Sequence, residues 1–201
     1  MSAQHGAQPL HGRFENPERW AEVFDHPARD QWQKPAEVIQ ALALAPDAVV
    51  ADIGAGTGYF AVRLARALPQ GRVFGADVEP GMVEHLSARA AREGLANLTA
   101  HLARPDDARL PAPVDLAILV DTYHHVPGRT AYFRKLAAAL KPGGRVAIID
   151  FKLDAPVGPP RHARIAPDRV SSELAAAGLR RVATHEFLPH QYFLVFARAE
   201  P

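Results

Sequence analysis

The chain has 201 residues, enough for one domain with a core of its own. Its 23 basic and 22 acidic residues leave a net charge of +1, which supplies no electrostatic footprint for nucleic acid and no charged tail. There is no cysteine, which excludes disulfides, thiolate metal sites and cysteine nucleophiles together.

Met1 to Phe14 is polar and holds no apolar run, so no leader peptide is read there. No uncharged stretch is long enough for a membrane span, and a cytoplasmic protein is expected. Asn16-Pro17 sets an N-cap before a proline at the first helical position, with Trp20, Val23 and Phe24 on one face and Pro27 as the stop. A second helix begins near Pro35, with Val38, Ile39 and Leu42 as its buried stripe. Residues 1–45 thus read as a helical lid segment. Strands and helices alternate from there on. Ala48 to Ile53 is an apolar run, followed by a helix through Phe60, Leu64 and Leu68. Arg72 to Ala76 is a strand stopped by Asp77, and Pro80 starts a helix that ends at Gly94. Leu98 to Leu102 is a third strand, and the strongly apolar Val114 to Val120 is central. Pro127 opens a helix through Phe133, Leu136 and Leu140; Lys141-Pro142-Gly143-Gly144 then turns the chain into a strand over Arg145 to Phe151. Residues 152–166 form a proline-rich loop, Pro167 to Ala177 a helix, and strands near 179–187 and 191–198 a closing hairpin. The alternation predicts an α/β three-layer sandwich over residues 46–201, with a mostly parallel sheet covered on both faces.

The central motif is Val50-Ala51-Asp52-Ile53-Gly54-Ala55-Gly56-Thr57-Gly58, where a strand becomes a helix. Glycines there let the chain turn tightly and let a ligand approach the backbone. Asp77 follows at the end of the next strand, about 20 residues on, where a ribose hydroxyl would be held. The spacing is Gly-x-Gly-x-Gly, not the Gly-x-Gly-x-x-Gly of nicotinamide-dependent enzymes. Asp52 beside the turn would repel a pyrophosphate and attract an ammonium or a sulfonium.

This motif resembles motif I of the class I, Rossmann-like S-adenosylmethionine-dependent methyltransferases, of the small-molecule type found in ubiquinone and menaquinone biosynthesis. Asp77 is similar to their ribose-binding acid. Asp106-Asp107-Ala108 before Leu110-Pro111 resembles their adenine loop, and Leu140-Lys-Pro-Gly-Gly-Arg-Val their turn into the fifth strand. The resemblance covers about residues 35–198. It implies a seven-stranded sheet of order 3-2-1-4-5-7-6 with the last strand antiparallel. It also implies S-adenosylmethionine as cofactor, held by Asp52, Gly54, Ala55, Gly56, Gly58, Asp77, Val78, Met82, Asp121 and one of Asp106 and Asp107. Arsenite methylation is disfavoured, since such enzymes rely on cysteine.

Ligands of open α/β sheets lie off the carboxyl ends of the strands. The fourth strand ends in Asp121-Thr122-Tyr123-His124-His125, the fifth in Asp150-Phe151-Lys152, and the sixth in Leu188-Pro189-His190-Gln191. His11 and His162 join that rim if the flanking segments fold over it. A base would expose the lone pair of a hydroxyl or protonated amine acceptor, and histidine suits the task. His124 or His125 is the candidate, with Tyr123 shaping the acceptor pocket. The same histidines with Asp121 and Asp150 could instead bind a metal, although their spacing lacks the i,i+4 logic of helical zinc sites, and none is assigned. Asp25, Arg29, Trp32 and Gln33 form a polar-aromatic group of the lid, with Trp20 and Phe24 beside it. Methyl transfer to a small acceptor, hydrophobic ones included, is the leading function, with no nucleic-acid partner expected. A nicotinamide-dependent oxidoreductase and a non-catalytic adenosylmethionine-binding protein are the alternatives.

Overall fold

A computed structural model describes residues 25–199. The predicted helix after Asn16-Pro17, with Trp20, Val23 and Phe24, and the rim position of His11 lie outside them. The described elements are α1 (Arg29–Gln33), α2 (Pro35–Ala41), β1 (Val49–Ile53), α3 (Tyr59–Ala67), β2 (Arg72–Asp77), α4 (Pro80–Arg92), β3 (Leu98–Leu102) and β4 (Val114–Val120). A 3-10 turn (Tyr123–His125) follows, then α5 (Arg129–Ala138), β5 (Leu140–Phe151), a 3-10 turn (Arg161–Ala163), α6 (Pro167–Ala175), β6 (Leu179–His185) and β7 (Gln191–Arg198).

The seven strands pair in the order β3-β2-β1-β4-β5-β7-β6, as expected. All neighbours are parallel except β7, which runs antiparallel to both β5 and β6. Strand pleat sorts the core into two layers. Ala51, Ala117, Leu119, Val146, Ile148, Leu194 and Phe196 face α5 and α6, where Phe133, Leu136, Val170 and Leu174 meet them. Val50, Leu116, Ile118, Ala147, Ile149, Phe193 and Val195 face the other layer, with Val38, Phe60, Leu64 and Leu86. Burial of both faces explains why β1, β4 and β5 read as unbroken apolar runs.

Two expected boundaries move. Leu140, read as the last residue of a helix, instead opens β5 and pairs with Val114. The pairing resumes only at Leu116 and Arg145, so Lys141-Pro142-Gly143-Gly144 bulges out of the ladder. A methyl group on Gly144 would stand 2.9 Å from the carbonyl oxygens of Lys141 and Val114, so the bulge needs glycine there. The helix expected from Pro127 starts at Arg129, because Tyr123–His125 coils first into its own tight turn. Arg29–Gln33, expected only as a polar-aromatic stretch, is a short helix.

Candidate active site

β1 delivers the glycine turn to the middle of the carboxyl edge. Gly54, Gly56 and Gly58 all have positive φ, at 72°, 54° and 95°. The N–H groups of this turn are bonded within the protein. Gly54 and Ala55 both donate to the Ala76 carbonyl, at 2.8 and 3.1 Å, and Gly58 donates to Ala55 at 2.9 Å. Gly56 donates to the Asp77 carboxylate at 2.8 Å. Asp77 also accepts the Glu79 N–H at 3.0 Å, and burial raises its carboxyl above the usual range. Asp52 is 3% exposed. It accepts the Ala61 N–H in the first turn of α3, capping a helix start that would otherwise invite an anion. Burial pushes the Asp52 carboxyl up to about 7; the Ala61 bond and Arg29 oppose the rise, and Asp77 adds to it.

A methyl group on Gly54 would overlap the Thr122 side chain, in a backbone conformation that already disfavours a Cβ. Gly54→Ala is therefore expected to lose about 2 kcal/mol or more of stability by urea unfolding. Wild-type stability in that variant would show the turn to be slack. Val78 and Leu102 follow Asp77 and end β3, and are 47% and 45% exposed. They leave an exposed apolar edge beside Asp77. Ala55 and Met82 are buried, Met82 in the first turn of α4. Asp106 pairs with Lys135 at 2.8 Å, which holds its carboxyl below the usual range. Asp107 accepts the Arg109 N–H at 2.8 Å, and its backbone pairs with Arg104, folding the loop back beside β3.

At the end of β4 the chain takes a left-handed step at Asp121, φ 55°. The Asp121 carboxylate gathers three side chains. Arg29 reaches it at 3.3 Å and Gln33 at 3.2 Å, both from α1, while Gln191 of β7 donates to its other oxygen. Gln33 also donates to Gln191 at 3.0 Å. Burial lifts the Asp121 carboxyl to about 6 against the pull of Arg29. Trp32 of α1 packs on Phe151 and His190, with ring centres 5.9 and 6.1 Å apart. So α1 is pinned to the ends of β4, β5 and β7.

The two histidines separate. His124 Nδ1 lies 2.9 Å from both oxygens of Asp150, a residue 1% exposed at the end of β5. A carboxylate only accepts, so Nδ1 is the donor in this pair. Asp150 also takes the backbone N–H groups of His124 and Phe151, at 3.2 and 2.8 Å. His125 is exposed, its ring centre 4.1 Å from that of His124. Tyr123, expected at the acceptor pocket, points inward. It is fully buried in the core against Phe133, and its hydroxyl donates to Glu173 at 2.5 Å. His162 sits in the 3-10 turn after β5. Among the described residues no three potential metal ligands cluster.

Sequence reading did not pair Asp150 with His124, nor Gln191 with Asp121. Thr57 was also passed over, although its buried hydroxyl has no partner among the described residues. Asp150 could have been found as the acid ending the strand next to β4.

Residues 50–144 match the family model described as a methyltransferase domain. An arsenite methyltransferase of Halobacterium salinarum is 30% identical over 67% of this chain and 34% of its own length. A demethylmenaquinone methyltransferase of Deinococcus radiodurans is 29% identical over 60% of this chain and 49% of its own. The chain thus spans between a third and a half of these relatives. A solved methyltransferase from Aquifex aeolicus, described as SAM dependent, superposes with a TM-score of 0.82 at 24% identity, over 90% of this chain and 97% of its own. Together with the strand order and the glycine turn, the match places residues 50–144 in the methyltransferase-domain family, set in the class I, Rossmann-like fold of the S-adenosylmethionine-dependent methyltransferases.

Proposed function

We propose that the protein transfers a methyl group from S-adenosylmethionine to a small acceptor, with His124 as the base. When bound, S-adenosylmethionine supplies a methyl group activated on a positively charged sulfur. The observation that carries this reading is the electrostatics of the glycine turn. The N–H groups of Gly54, Ala55, Gly56 and Gly58, which could cradle a phosphate, are already bonded within the protein. A buried carboxylate, Asp52, and a half-buried one, Asp77, flank them. Such a site suits a ligand with hydroxyls and a cation, and it repels a pyrophosphate. That counts against a nicotinamide-dependent oxidoreductase.

The residues fit the cofactor: Asp77 toward its ribose, Val78 and Leu102 toward its adenine, and Asp52 and Asp121 toward its cationic end. For adenine we assign Asp107, because Lys135 holds Asp106 at 2.8 Å and reaches Asp107 only at 3.8 Å. His124 takes the acceptor proton on Nε2, and Asp150 steadies the imidazolium that results. A base aligned this way favours turnover over mere binding. Residues 1–45 act as the lid, with Arg29 and Gln33 as its latch on Asp121. The relatives' names include small-molecule acceptors, demethylmenaquinone among them. No helix of the described residues is long and apolar enough to cross a membrane.

Calorimetry tests the cofactor. S-adenosylhomocysteine should bind in the micromolar range, and NAD should not. Asp77→Ala should weaken binding at least ~10-fold, the value of a charge-assisted hydrogen bond. Binding of NAD instead, or no binding of the adenosyl ligand, would sink the reading.

A further inference from the structure

The seat assigned to the cofactor's cationic end already holds a cation. Arg29 of α1 reaches the Asp121 carboxylate at 3.3 Å, and its charge acts on Asp52 as well. Its guanidinium carbon stands 4.0 Å from the centre of the Tyr59 ring, the first residue of α3 after the glycine turn. Only 15% of the Arg29 side chain is exposed, and its Nε donates to Gln33 one turn along α1. An aromatic face beside carboxylates attracts an ammonium or a guanidinium. A second set of contacts ties α1 to the same ring. Arg63 also lies 4.0 Å from the Tyr59 ring centre, and Asp30 accepts from Arg63, at 3.0 Å, and from the Tyr59 hydroxyl. The seat is within reach of a ligand, because Gly54 is exposed and 23% of the Asp121 side chain is accessible.

We infer that Arg29 is an internal plug: its guanidinium fills the cation seat of the empty protein and must leave Asp121 before the ammonium of the cofactor can enter. The inference rests on the reading of Asp52 and Asp121 as the acids of that seat. Two acids drawn out of water without a cation are strongly destabilising, and Arg29 lowers the carboxyls of both. Two cations sharing that one pair of acids would repel each other at close range. Exchange of one for the other keeps the acids compensated throughout. The cofactor therefore competes with a group of the protein itself. A seat filled about nine-tenths of the time by its plug weakens apparent affinity ~10-fold, since the ligand binds only the emptied fraction. The sign is opposite to that of an ordinary contact residue, because removing Arg29 strengthens binding.

Calorimetric titration of wild type, Arg29→Met and Arg29→Lys with S-adenosylhomocysteine tests the plug. Methionine keeps an unbranched stem against Tyr59 and lacks the charge, while lysine keeps the charge on a group without the planar fork. Binding should tighten ~10-fold in Arg29→Met and by a smaller factor in Arg29→Lys. Adenosine, which has the base and the ribose but no ammonium, should bind all three proteins alike. Weaker or unchanged binding of S-adenosylhomocysteine in Arg29→Met overturns the inference, the weaker case making Arg29 a direct ligand of the cofactor. Equal tightening for adenosine overturns it too, since the obstruction would then lie outside the cation seat. Arg29→Lys that binds like wild type would reduce the effect to charge and overturn the plug. Should Arg29→Met not fold by circular dichroism, Arg29→Lys decides alone on the same criterion. Failure of the folded wild-type protein to bind S-adenosylhomocysteine at all would instead overturn the methyltransferase reading beneath it.

Discussion

Replacing His124 by alanine should lower kcat by ~100- to 10,000-fold while S-adenosylhomocysteine binds as before. The asymmetry follows from where the side chain is held. His124 is tied to Asp150 at the end of β5, whereas the glycine turn and Asp77 belong to β1 and β2. The substitution removes a proton acceptor and leaves the proposed cofactor seat intact. Asp150→Asn should fall in the same direction, because an amide in place of the carboxylate no longer fixes the proton on Nδ1. His125→Ala should be milder, since that ring is exposed. The rates can be measured with any hydroxylated aromatic that the wild-type protein methylates. Full activity in His124→Ala would show that positioning alone drives the transfer. Loss of S-adenosylhomocysteine binding would show that His124 belongs to the cofactor site.

The architecture was legible because the local signals agreed with the fold. Leu98–Leu102, Val114–Val120 and Gln191–Arg198 lie where apolar runs and turn residues put them. Leu140 was misread because its spacing from Phe133 and Leu136 continues a helical stripe, while a non-local pairing with Val114 decides its conformation. α1 has only five residues, too few for a periodicity to declare itself. The glycine turn and its acids were legible because glycine and acid spacing are local properties. The acceptor side was not. The left-handed step at Asp121 breaks the strand's alternation, so sequence alone does not say that Tyr123 enters the core while His124 meets Asp150. Asp150 is 26 residues from His124, and Gln191 is 70 from Asp121. Only the order of strands in the sheet brings them together.

Asp52→Asn should stabilise the ligand-free protein at pH 8 and at the same time abolish binding of the cofactor. Burial has raised the Asp52 carboxyl to about 7, from 3.8 in an unstructured chain. Between those values the folded protein holds a proton that the unfolded chain has released. Stability therefore falls as pH rises through that window, and the whole cost is in place above about pH 7. Asparagine keeps an oxygen for the Ala61 N–H but never carries the charge. The variant should match wild type near pH 4 and exceed it by roughly 4 kcal/mol at pH 8, read from urea unfolding at the two pH values. Taking the difference between the proteins cancels Asp121, whose raised carboxyl slopes the same way. The cost has a use if a cation docks beside Asp52. The ammonium of S-adenosylhomocysteine would pull its carboxyl down again, so binding near pH 7 should release a proton. Calorimetry in two buffers of different ionisation enthalpy reads that proton directly. Equal heats in both buffers, or an Asp52→Asn protein that binds as tightly as wild type, would leave Asp52 as a helix cap and nothing more.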